Sequence, residues 1–246
     1  MTPDRHAGRR VLVSGGTSGL GLACAARLAA EGARVWILGS SAETVAAACA
    51  AGPFAGGSAC DVADEAAVIA AVEAAADELG GLDAAFVNAG IDGEDKPVLE
   101  LSTERFRRVL DINVIGAFLV GRECVLRMDG GGAVVVNASV NGVRPEVGFA
   151  DYNASKAAAV SLAQTMALDL AERRIAVTAI CPGYVRTRMT APYLDDPATG
   201  PALLAEIPAG RFGEPEDVAG LVAFLASPEA AYMTGSVITI DGGRSV

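Results

Sequence analysis

Short apolar segments alternate with longer Ala-, Leu- and Glu-rich stretches from one end of this chain to the other. Such alternation is typical of repeated strand–helix units, in which helices cover a parallel sheet. The apolar segments are nearly continuous, as expected for strands that are buried on both faces. The sequence therefore predicts an α/β fold of three layers, a doubly wound parallel sheet between two layers of helices.

Seven strands and six helices account for most of this pattern. We expect the strands at Val11–Ser14, Arg34–Leu38, Gly57–Cys60, Ala84–Asn88, Ala133–Asn137, Ala176–Cys181 and Val237–Ile240. We expect the helices at about 20–31, 42–51, 64–79, 103–128, 152–171 and 215–226. Asp64 and Thr103 are the expected N-caps of two of them. Because no linker interrupts the pattern, the 246 residues are predicted to form a single domain over 1–246.

The segment 186–210 departs from the alternation. It is punctuated by Pro192, Pro197, Pro201 and Pro208. Long irregular segments of compact domains are often functional, and Leu203, Leu204 and Ile207 could form one apolar helical face. We therefore expect a substrate lid at about 186–210, with a disordered insertion as the alternative.

Charge and composition exclude several classes of function. The chain has 19 basic and 30 acidic residues, a formal net charge of −11 at pH 7. Nucleic acids and anionic lipid surfaces bind clustered Lys and Arg, so neither nucleic-acid nor membrane partners are expected. His6 is the single histidine, which argues against zinc catalysis and Ser-His-Asp chemistry, and no metal site is expected. Five cysteines without C-x-x-C spacing fit a reducing compartment, so we expect a soluble, cytoplasmic protein.

A glycine-rich turn follows the first predicted strand directly, as Ser14-Gly15-Gly16-Thr17-Ser18-Gly19-Leu20-Gly21. Glycines at positions 15, 19 and 21 would let the backbone turn tightly and approach a pyrophosphate, whose charge would face the free N–H groups of the next helix. The alternative is a simple tight connection, because the spacing G-x-x-x-G-x-G differs from G-x-G-x-x-G. No Gly-Lys-Ser/Thr is present, so a P-loop nucleotide hydrolase is not expected.

Tyr152 and Lys156 are four residues apart at the start of an Ala-rich helix, so their side chains share one face. A lysine ammonium near a phenol favours the phenolate and would lower its pKa from about 10, making Tyr152 a usable acid or base. The alternative is an exposed helix pair. Ser139 follows the fifth predicted strand and Asn113 lies inside a predicted helix. Each alone is typical of a loop or packing residue, but together the four residues indicate a catalytic set.

With these residues in this order, the sequence resembles the short, single-domain branch of the short-chain dehydrogenase/reductase family from about residue 9 to residue 243. The marks that carry the resemblance are the glycine turn at 15–21, Asp61-Val62, Asn88-Ala89-Gly90, Asn113, Ser139, Tyr152, Lys156, Pro182-Gly183, Thr187 and Asp241-Gly242-Gly243. Ser14 stands where the family usually has Thr, and Val87 replaces the first Asn of Asn-Asn-Ala-Gly. The resemblance implies a Rossmann-type fold and an NAD(P)-dependent oxidoreductase that transfers a hydride between a nicotinamide cofactor and a carbonyl or secondary alcohol.

The resemblance also implies roles for the catalytic set. Tyr152 would be the general acid for carbonyl reduction and the base in the reverse direction, and Ser139 would hydrogen-bond the substrate oxygen. Lys156 would lower the pKa of Tyr152 and hold the ribose hydroxyls. Asn113 would bend its helix so that a water links Lys156 to solvent.

The cofactor site is expected at the carboxyl edge of the sheet, where open α/β folds bind their ligands. By resemblance, Asp61 would accept from the adenine amino group beside the Val62 backbone, and Thr187 would hold the nicotinamide end. The expected set is Gly15, Thr17, Ser18, Gly19, Leu20, Gly21, Gly39, Ser40, Asp61, Val62, Asn88, Ala89, Gly90, Tyr152, Lys156, Pro182, Gly183, Val185 and Thr187.

The end of the second predicted strand favours NADP(H), with NAD(H) as the alternative. Gly39 stands where an Asp or Glu would bind the ribose 2′-hydroxyl of NADH and repel a 2′-phosphate. We expect Gly39 to leave room for that phosphate and Ser40 and Ser41 to donate hydrogen bonds to it. No Arg or Lys at Ser18 or Ser40 strengthens the preference.

Two other functions stay open at this point. The first is a non-catalytic dinucleotide-binding sensor or scaffold, since a fold does not determine function; the presence of all four catalytic-type residues argues against it. The second is an epimerase or dehydratase that uses the same Tyr–Lys pair. Such relatives usually carry a longer C-terminal substrate domain.

The expected substrate is a medium-sized ketone or alcohol. Candidate pocket residues are Asp92, Asn141, Val143, Phe149, Tyr184 and the segment from Met189 to Ile207. The resemblance is also close to 3-oxoacyl carrier-protein reductases. An acidic carrier protein and this acidic chain repel each other, although Arg173 and Arg174 could form a local basic patch.

The resemblance further implies a homo-oligomer, a tetramer of two-fold symmetry. Two predicted helices agree, because they carry small and apolar residues on more than one face. These residues are Ala117, Phe118, Ala157, Ala158, Ala159 and Leu162. Packing within the chain is the alternative explanation.

Overall fold

Seven parallel strands form one sheet between two layers of helices in the computed structural model, which describes residues 4–246. The strands are β1 (Arg10–Ser14), β2 (Arg34–Gly39), β3 (Gly56–Ala59), β4 (Ala84–Val87), β5 (Gly132–Asn137), β6 (Ile175–Pro182) and β7 (Val237–Ile240). Their order is β3-β2-β1-β4-β5-β6-β7, and every neighbouring pair is parallel. The doubly wound fold is confirmed, and each strand lies within one residue of its expected bounds.

Nine α-helices connect and cover the strands within residues 4–246. They are α1 (Gly19–Ala30), α2 (Ala42–Ala51), α3 (Glu65–Leu79), α4 (Thr103–Leu110), α5 (Gly116–Leu126), α6 (Ala150–Asp169), α7 (Ala191–Leu194), α8 (Gly200–Ala205) and α9 (Pro215–Leu225). Asp64 caps α3 as expected, because its carboxylate accepts from Ala67 N at 3.1 Å. Thr103 is not a cap: the hydroxyl of Ser102 accepts from Arg105 N instead.

The single helix expected over 103–128 is interrupted. A π-helical segment, Asp111–Ile115, lies between α4 and α5 and carries Asn113. A π-segment inserts an extra residue into the helical register, and such segments occur frequently at functional sites. Apolar periodicity does not detect it, because α4, the π-segment and α5 follow one another without a break in the helical backbone.

The core has two halves, one on each face of the sheet. Leu12 and Val134 face α3, α5 and α6, whereas Val13 and Val135 face α1 and α9. Leu28 of α1 is fully buried, which stabilises the fold by about 2 kcal/mol. The expectation that every strand is covered on both faces is wrong at the edges: β3 and β7 are only half-buried.

The segment 186–210 contains the two short helices α7 and α8. Ile207 is buried, and Leu203 and Leu204 are half-buried. This segment follows β6 and lies at the carboxyl edge of the sheet, beside the ends of β4 and β5. The topology therefore brings the turns after β1, β4, β5 and β6 together at one edge, where ligands of such sheets bind.

Candidate active site

The glycine turn after β1 has the shape of a phosphate cradle. Gly15 and Gly19 have φ values of +65° and +52°, a region that L side chains rarely adopt. A Cβ on Gly21 would lie 2.0 Å from the Gly15 carbonyl oxygen. Ser18 is the N-cap of α1 but makes no side-chain cap hydrogen bond. The first N–H groups of α1 are therefore free to bind an anion, as the predicted pyrophosphate requires.

Hydrogen bonds of polar side chains connect the ends of β1, β4 and β5. The Ser14 hydroxyl accepts from Asn88 N at 2.9 Å and from Ala89 N at 3.1 Å. The Asn88 amide donates to the Ser14 carbonyl and accepts from Asn137 Nδ2 at 2.8 Å. Ser14 thus supplies the hydroxyl that this position needs, and Asn88-Ala89-Gly90 is held beside the glycine turn.

The segment after β6 faces the same cradle. A Cβ on Gly19 would lie 3.5 Å from Thr187 Cβ. Val185 is buried and forms an isolated parallel bridge with Gly213, and Gly183 N donates to Ile240 O at 3.0 Å. The predicted pyrophosphate and nicotinamide ends of the cofactor site are therefore adjacent.

Asp61 and Val62 follow β3 at the far side of this edge. The Asp61 carboxylate accepts from Ala63 N at 3.0 Å and lies 3.8 Å from the Arg108 guanidinium. Val62 is buried against Gly116, where an added Cβ would lie 2.7 Å from Val62 Cγ2. Asp61 and Val62 as the adenine end of the site stay a prediction, and Arg108 is a neighbour of Asp61 that sequence reasoning missed.

Position 39 has no room for a side chain. A Cβ there would lie 2.5 Å from Thr17 Cγ2 and 2.9 Å from Val45 Cγ2. Ser41 is occupied as the N-cap of α2, where it accepts from Thr44 N at 3.2 Å. Ser40 is exposed. Glycine at position 39 is therefore required by packing, and Ser40 is the residue of this turn that is free to meet a ribose substituent.

The four catalytic candidates converge as expected. The Lys156 ammonium donates to the Asn137 carbonyl at 2.9 Å and lies 5.5 Å from the centroid of the Tyr152 ring. A Cβ on Gly90 would lie 3.1 Å from Asn113 Oδ1 and 3.7 Å from Lys156 Nζ. Ser139 follows β5 and lines the same cavity as Tyr152. The π-segment, β5 and α6 thus present their polar groups to one point.

Asn113 anchors this arrangement through three hydrogen bonds. Its Oδ1 accepts from Ile91 N at 2.8 Å, and its Nδ2 donates to the Ile91 carbonyl at 2.9 Å and to Ser155 Oγ at 3.1 Å. The side chain is 2% exposed. Asn113 therefore joins the π-segment to the loop after β4 and to α6, beside Lys156.

The pKa of Tyr152 differs from the expectation that Lys156 lowers it. Burial and the Asp92 carboxylate raise the pKa of Tyr152, and the Ser139 side chain acts in the opposite direction. Burial lowers the pKa of Lys156 to about 8. The residues of the chain alone thus do not lower the pKa of Tyr152, because desolvation of the phenolate outweighs the favourable contacts.

A cavity of about 250 Å³ opens beside Tyr152. Of the predicted pocket residues, Asp92, Asn141, Phe149 and Tyr184 line it, and so do five residues of the predicted segment from Met189 to Ile207: Met189, Thr190, Tyr193, Thr199 and Leu203. Val143 does not line it. The lining also includes residues that sequence reasoning did not single out: Asp95, Val140, Glu146 and Val147.

One wall of the cavity is an ion-pair cluster around Glu146. The carboxylate accepts from the Tyr184 hydroxyl and from Asn141 Nδ2, and it pairs with Arg244 at 3.1 Å. Arg244 is buried, stacks over the Tyr184 ring at 4.3 Å and also pairs with Glu206 at 2.9 Å. These partners are distant in sequence, so no local pattern indicates the cluster.

Asp151 and Arg105 hold the loop after β4 against the start of α6. Asp151 is fully buried and accepts from Tyr152 N at 2.7 Å and from Glu94 N at 3.3 Å. Arg105 donates to the Asp92 carbonyl at 2.6 Å. The residue that precedes Tyr152 therefore positions both the catalytic helix and the Asp92 loop.

Residues 4–246 contain no group of three or more His, Cys, Asp or Glu side chains that could hold a metal ion. None of their helices combines the length and the apolar character needed to cross a bilayer.

Comparisons with known proteins agree with this geometry. A family model described as enoyl-(acyl carrier protein) reductase matches residues 15–245. The chain is 39% identical to the 4-formylbenzenesulfonate dehydrogenase of Comamonas testosteroni over 245 residues, which cover 96% of this chain and 97% of the relative.

Solved structures are similar over the same length. A crystal structure of levodione reductase superposes with a TM-score of 0.92 at 36% identity, covering 98% of each chain. The 3-ketoacyl-(acyl-carrier-protein) reductase of Brucella melitensis, solved in complex with NADH, gives a TM-score of 0.90 at 32% identity, covering 98% of this chain and 99% of that one. The chain therefore belongs to the short-chain dehydrogenase/reductase family and is an oxidoreductase that uses a nicotinamide cofactor.

Proposed function

We propose that this enzyme transfers a hydride between the nicotinamide cofactor and a carbonyl or secondary alcohol of a small molecule, with Tyr152 as general acid and base. The observation that carries the proposal is a cavity of about 250 Å³ lined by Ser139 and Tyr152, with the Lys156 ammonium 5.5 Å from the centroid of the Tyr152 ring. The cofactor supplies the hydride chemistry. The protein orients the substrate and supplies the proton.

Each residue then has one task. Tyr152 donates its phenolic proton to the substrate oxygen in reduction and takes a proton from the alcohol in oxidation. Ser139 donates a hydrogen bond to the same oxygen as negative charge develops on it. Lys156 holds the ribose and favours the phenolate, while Asn113 maintains the π-segment along which water reaches Lys156. The raised pKa of Tyr152 fits its role as proton donor in reduction.

The first test is cofactor turnover. Net oxidation of NADPH or NADH by a panel of ketones, measured by absorbance, is expected for the native protein. Tyr152→Phe is expected to lose more than nine-tenths of the activity while cofactor binding stays within about twofold, because only the proton donor is removed. Retention of a tenth or more of the activity would contradict the role of Tyr152. Turnover without net cofactor consumption would identify an epimerase, and cofactor binding without any turnover would identify a sensor.

We further infer a preference for NADPH over NADH. The turn after β2 has no carboxylate to bind a ribose 2′-hydroxyl or to repel a 2′-phosphate, and the exposed Ser40 hydroxyl can donate to that phosphate. A neutral hydrogen bond contributes about 1 kcal/mol, so the expected preference is about fivefold to tenfold.

Substitution of Ser40 tests the preference without disturbing the packing at Gly39. Ser40→Arg is expected to raise the ratio of kcat/KM for NADPH to that for NADH at least tenfold, because a guanidinium pairs strongly with phosphate. Ser40→Asp is expected to lower the ratio by a similar factor. Glu43→Gln on the adjacent helix α2 is the control. If both Ser40 variants leave the ratio unchanged, this turn does not face the ribose.

We also propose that the segment 186–210 acts as the substrate lid. Met189, Thr190, Tyr193, Thr199 and Leu203 of this segment line the cavity. The Tyr193 hydroxyl donates to Asp92 Oδ2 at 2.9 Å across the cavity, which links the segment to the loop after β4.

The cytoplasmic location stays a prediction from cysteine usage.

A homotetramer is proposed on exposed apolar side chains of α5, α6 and the segment between α4 and α5. Ile115, Phe118, Leu126 and Leu168 are exposed there. Of the residues singled out from the sequence, Ala117 and Ala159 are buried within the chain and belong to its own core. Sedimentation that shows a concentration-independent monomer at micromolar concentration would contradict this assembly.

A carrier-protein substrate is not favoured. The net charge of −11 repels an acidic carrier protein. Arg173 does not add to a free basic patch, because its guanidinium donates to the carbonyls of Val125 and Met128 at the end of α5. The proposed substrate is therefore a free small molecule.

A further inference from the structure

The substrate cavity is lined by both apolar and polar side chains. The apolar ones are Val140, Val147, Phe149, Met189 and Leu203. The polar ones include Asp92, Asp95, Asn141, Glu146 and Tyr193. Within residues 4–246, no Lys or Arg side chain lines this cavity. This mixed lining fits a substrate with an apolar part and at least one polar group besides the reacting oxygen.

Building on the proposed hydride transfer, we propose that the substrate is a compact, uncharged molecule with a second hydroxyl group, and that Asp92 and Tyr193 bind this hydroxyl. A cyclic diol, or the hydroxyketone formed from it, has this chemistry. Its ring would pack against apolar side chains of the cavity while the second hydroxyl donates to the Asp92 carboxylate.

Asp92 is held in place for such a contact. Its Oδ1 accepts from Gly93 N at 2.9 Å, and its Oδ2 accepts from the Tyr193 hydroxyl at 2.9 Å. Arg105 fixes the backbone of the same residue. A carboxylate has about four acceptor positions, so two described hydrogen bonds leave capacity for a substrate hydroxyl. The Tyr193 hydroxyl also retains acceptor capacity toward a second donor.

The charges around the cavity exclude an anionic substrate. Asp92, Asp95 and Glu146 face it, and of these three only Glu146 forms a described ion pair, with Arg244. A carboxylate or sulfonate placed here would lose its hydration and meet carboxylates instead of guanidinium or ammonium groups.

The surroundings also disfavour an ammonium. Arg105 already lies close enough to Asp92 and Asp151 to balance their charge. Lys156 carries an ammonium 5.5 Å from the centroid of the Tyr152 ring. A second cation in a cavity of about 250 Å³ would be close to this group. A neutral donor satisfies Asp92 without that repulsion.

A ring-matched panel tests the proposal on the native enzyme. Oxidation by NADP⁺ and by NAD⁺ is measured for cyclohexanol, the three cyclohexanediol regioisomers, 2-aminocyclohexanol and 2-hydroxycyclohexanecarboxylate. At least one diol is expected to exceed cyclohexanol at least tenfold in kcat/KM, with the amine and the acid below cyclohexanol. A higher rank for the amine, the acid or cyclohexanol overturns the proposal. If none of these compounds or their ketones turns over, the proposed function itself fails.

Two variants locate the hydroxyl contact. Asp92→Ala is expected to reduce the ratio of kcat/KM for the preferred diol to that for cyclohexanol at least tenfold. Tyr193→Phe removes one partner of Asp92 and keeps its shape, and it is expected to reduce the ratio about threefold. Glu94→Ala removes the same charge from the same loop, and because the Glu94 side chain pairs with Lys96 and does not line the cavity, this variant is expected to leave the ratio unchanged. An unchanged ratio in both Asp92→Ala and Tyr193→Phe overturns the assignment.

Discussion

At the scale of single residues, burial is the main cause of the pKa shifts of the proposed catalytic pair, Tyr152 and Lys156. The environment raises the pKa of Tyr152 and lowers that of Lys156 to about 8, and desolvation is the largest cause for both. Lys156 is fixed by the Asn137 carbonyl rather than by a carboxylate. Its ammonium is therefore free of any permanent counter-ion among the contacts described, and its charge can act on the ribose and the phenol.

Replacement of Lys156 tests this double role. Lys156→Met is expected to lower kcat at least a hundredfold and to weaken cofactor binding about tenfold, because the variant loses both the charge near the phenol and the ribose contact. Lys96→Met is the matched control: Lys96 is the other lysine of the chain and pairs with Glu94 on a surface loop. Cofactor affinity is measured by fluorescence titration. Unchanged cofactor affinity in Lys156→Met would show that Lys156 acts on the phenol of Tyr152 and not on the ribose.

At the scale of elements, the π-segment Asp111–Ile115 has the clearest link to function. It turns Asn113 toward the loop after β4, where three hydrogen bonds hold it. The sequence resemblance assigns Asn113 to the site, but the π-helical geometry depends on these tertiary contacts. A local reading of 103–128 therefore predicts one regular helix.

Asn113→Ala is expected to destabilise the protein by about 2 kcal/mol, because it leaves the buried N–H and carbonyl of Ile91 without their partner. For a chain of this length, that loss corresponds to a fall in Tm of roughly 4–8 °C. Val114→Ala, in the same π-segment, is the control. The kcat of Asn113→Ala, measured well below its Tm, is expected to fall at least tenfold while KM for the cofactor changes little. An unchanged kcat would show that Asn113 is structural only.

Other elements show where local patterns are sufficient. The strand bounds could be predicted to within one residue because each strand is a short apolar run between turn residues. The grouping of Ser139, Tyr152 and Lys156 could be predicted from their spacing together with the family resemblance. The contact of Tyr193 with Asp92 and the pairing of Glu146 with Arg244 could not, because these partners are 101 and 98 residues apart along the chain.

At the scale of the whole molecule, His6, which precedes β1, links helices α1 and α9 of one layer. His6 is fully buried, and its Nε2 contacts the Ala223 carbonyl of α9 at 2.7 Å, while His6 N donates to the Glu31 carbonyl at the end of α1. Glu31 is also buried and pairs with Arg27 at 2.5 Å. The single histidine therefore contributes to stability, in agreement with the expectation that it is not part of the catalytic chemistry.

This placement predicts a pH dependence of stability. Burial lowers the pKa of His6 below its ordinary value of about 6.5, so the unfolded chain binds more protons than the folded one as the pH falls. The contribution of neutral His6 is complete above about pH 6.5 and is lost as the pH falls toward the lowered value. We expect the fall in Tm between pH 7.5 and pH 5.5 to be smaller in His6→Gln than in the native protein. An equal fall would assign the pH dependence to other groups.

Glu146 has a consequence for any attempt to redesign the substrate range. It is the shared partner of Tyr184, Asn141 and Arg244, so the positions of these three side chains depend on one common carboxylate. Substitutions within such a network are not additive, and interaction energies of about 0.5–3 kcal/mol are typical of residues in contact. Beneficial changes found one at a time at these positions would not combine predictably, and libraries that vary them together would sample solutions that stepwise selection misses.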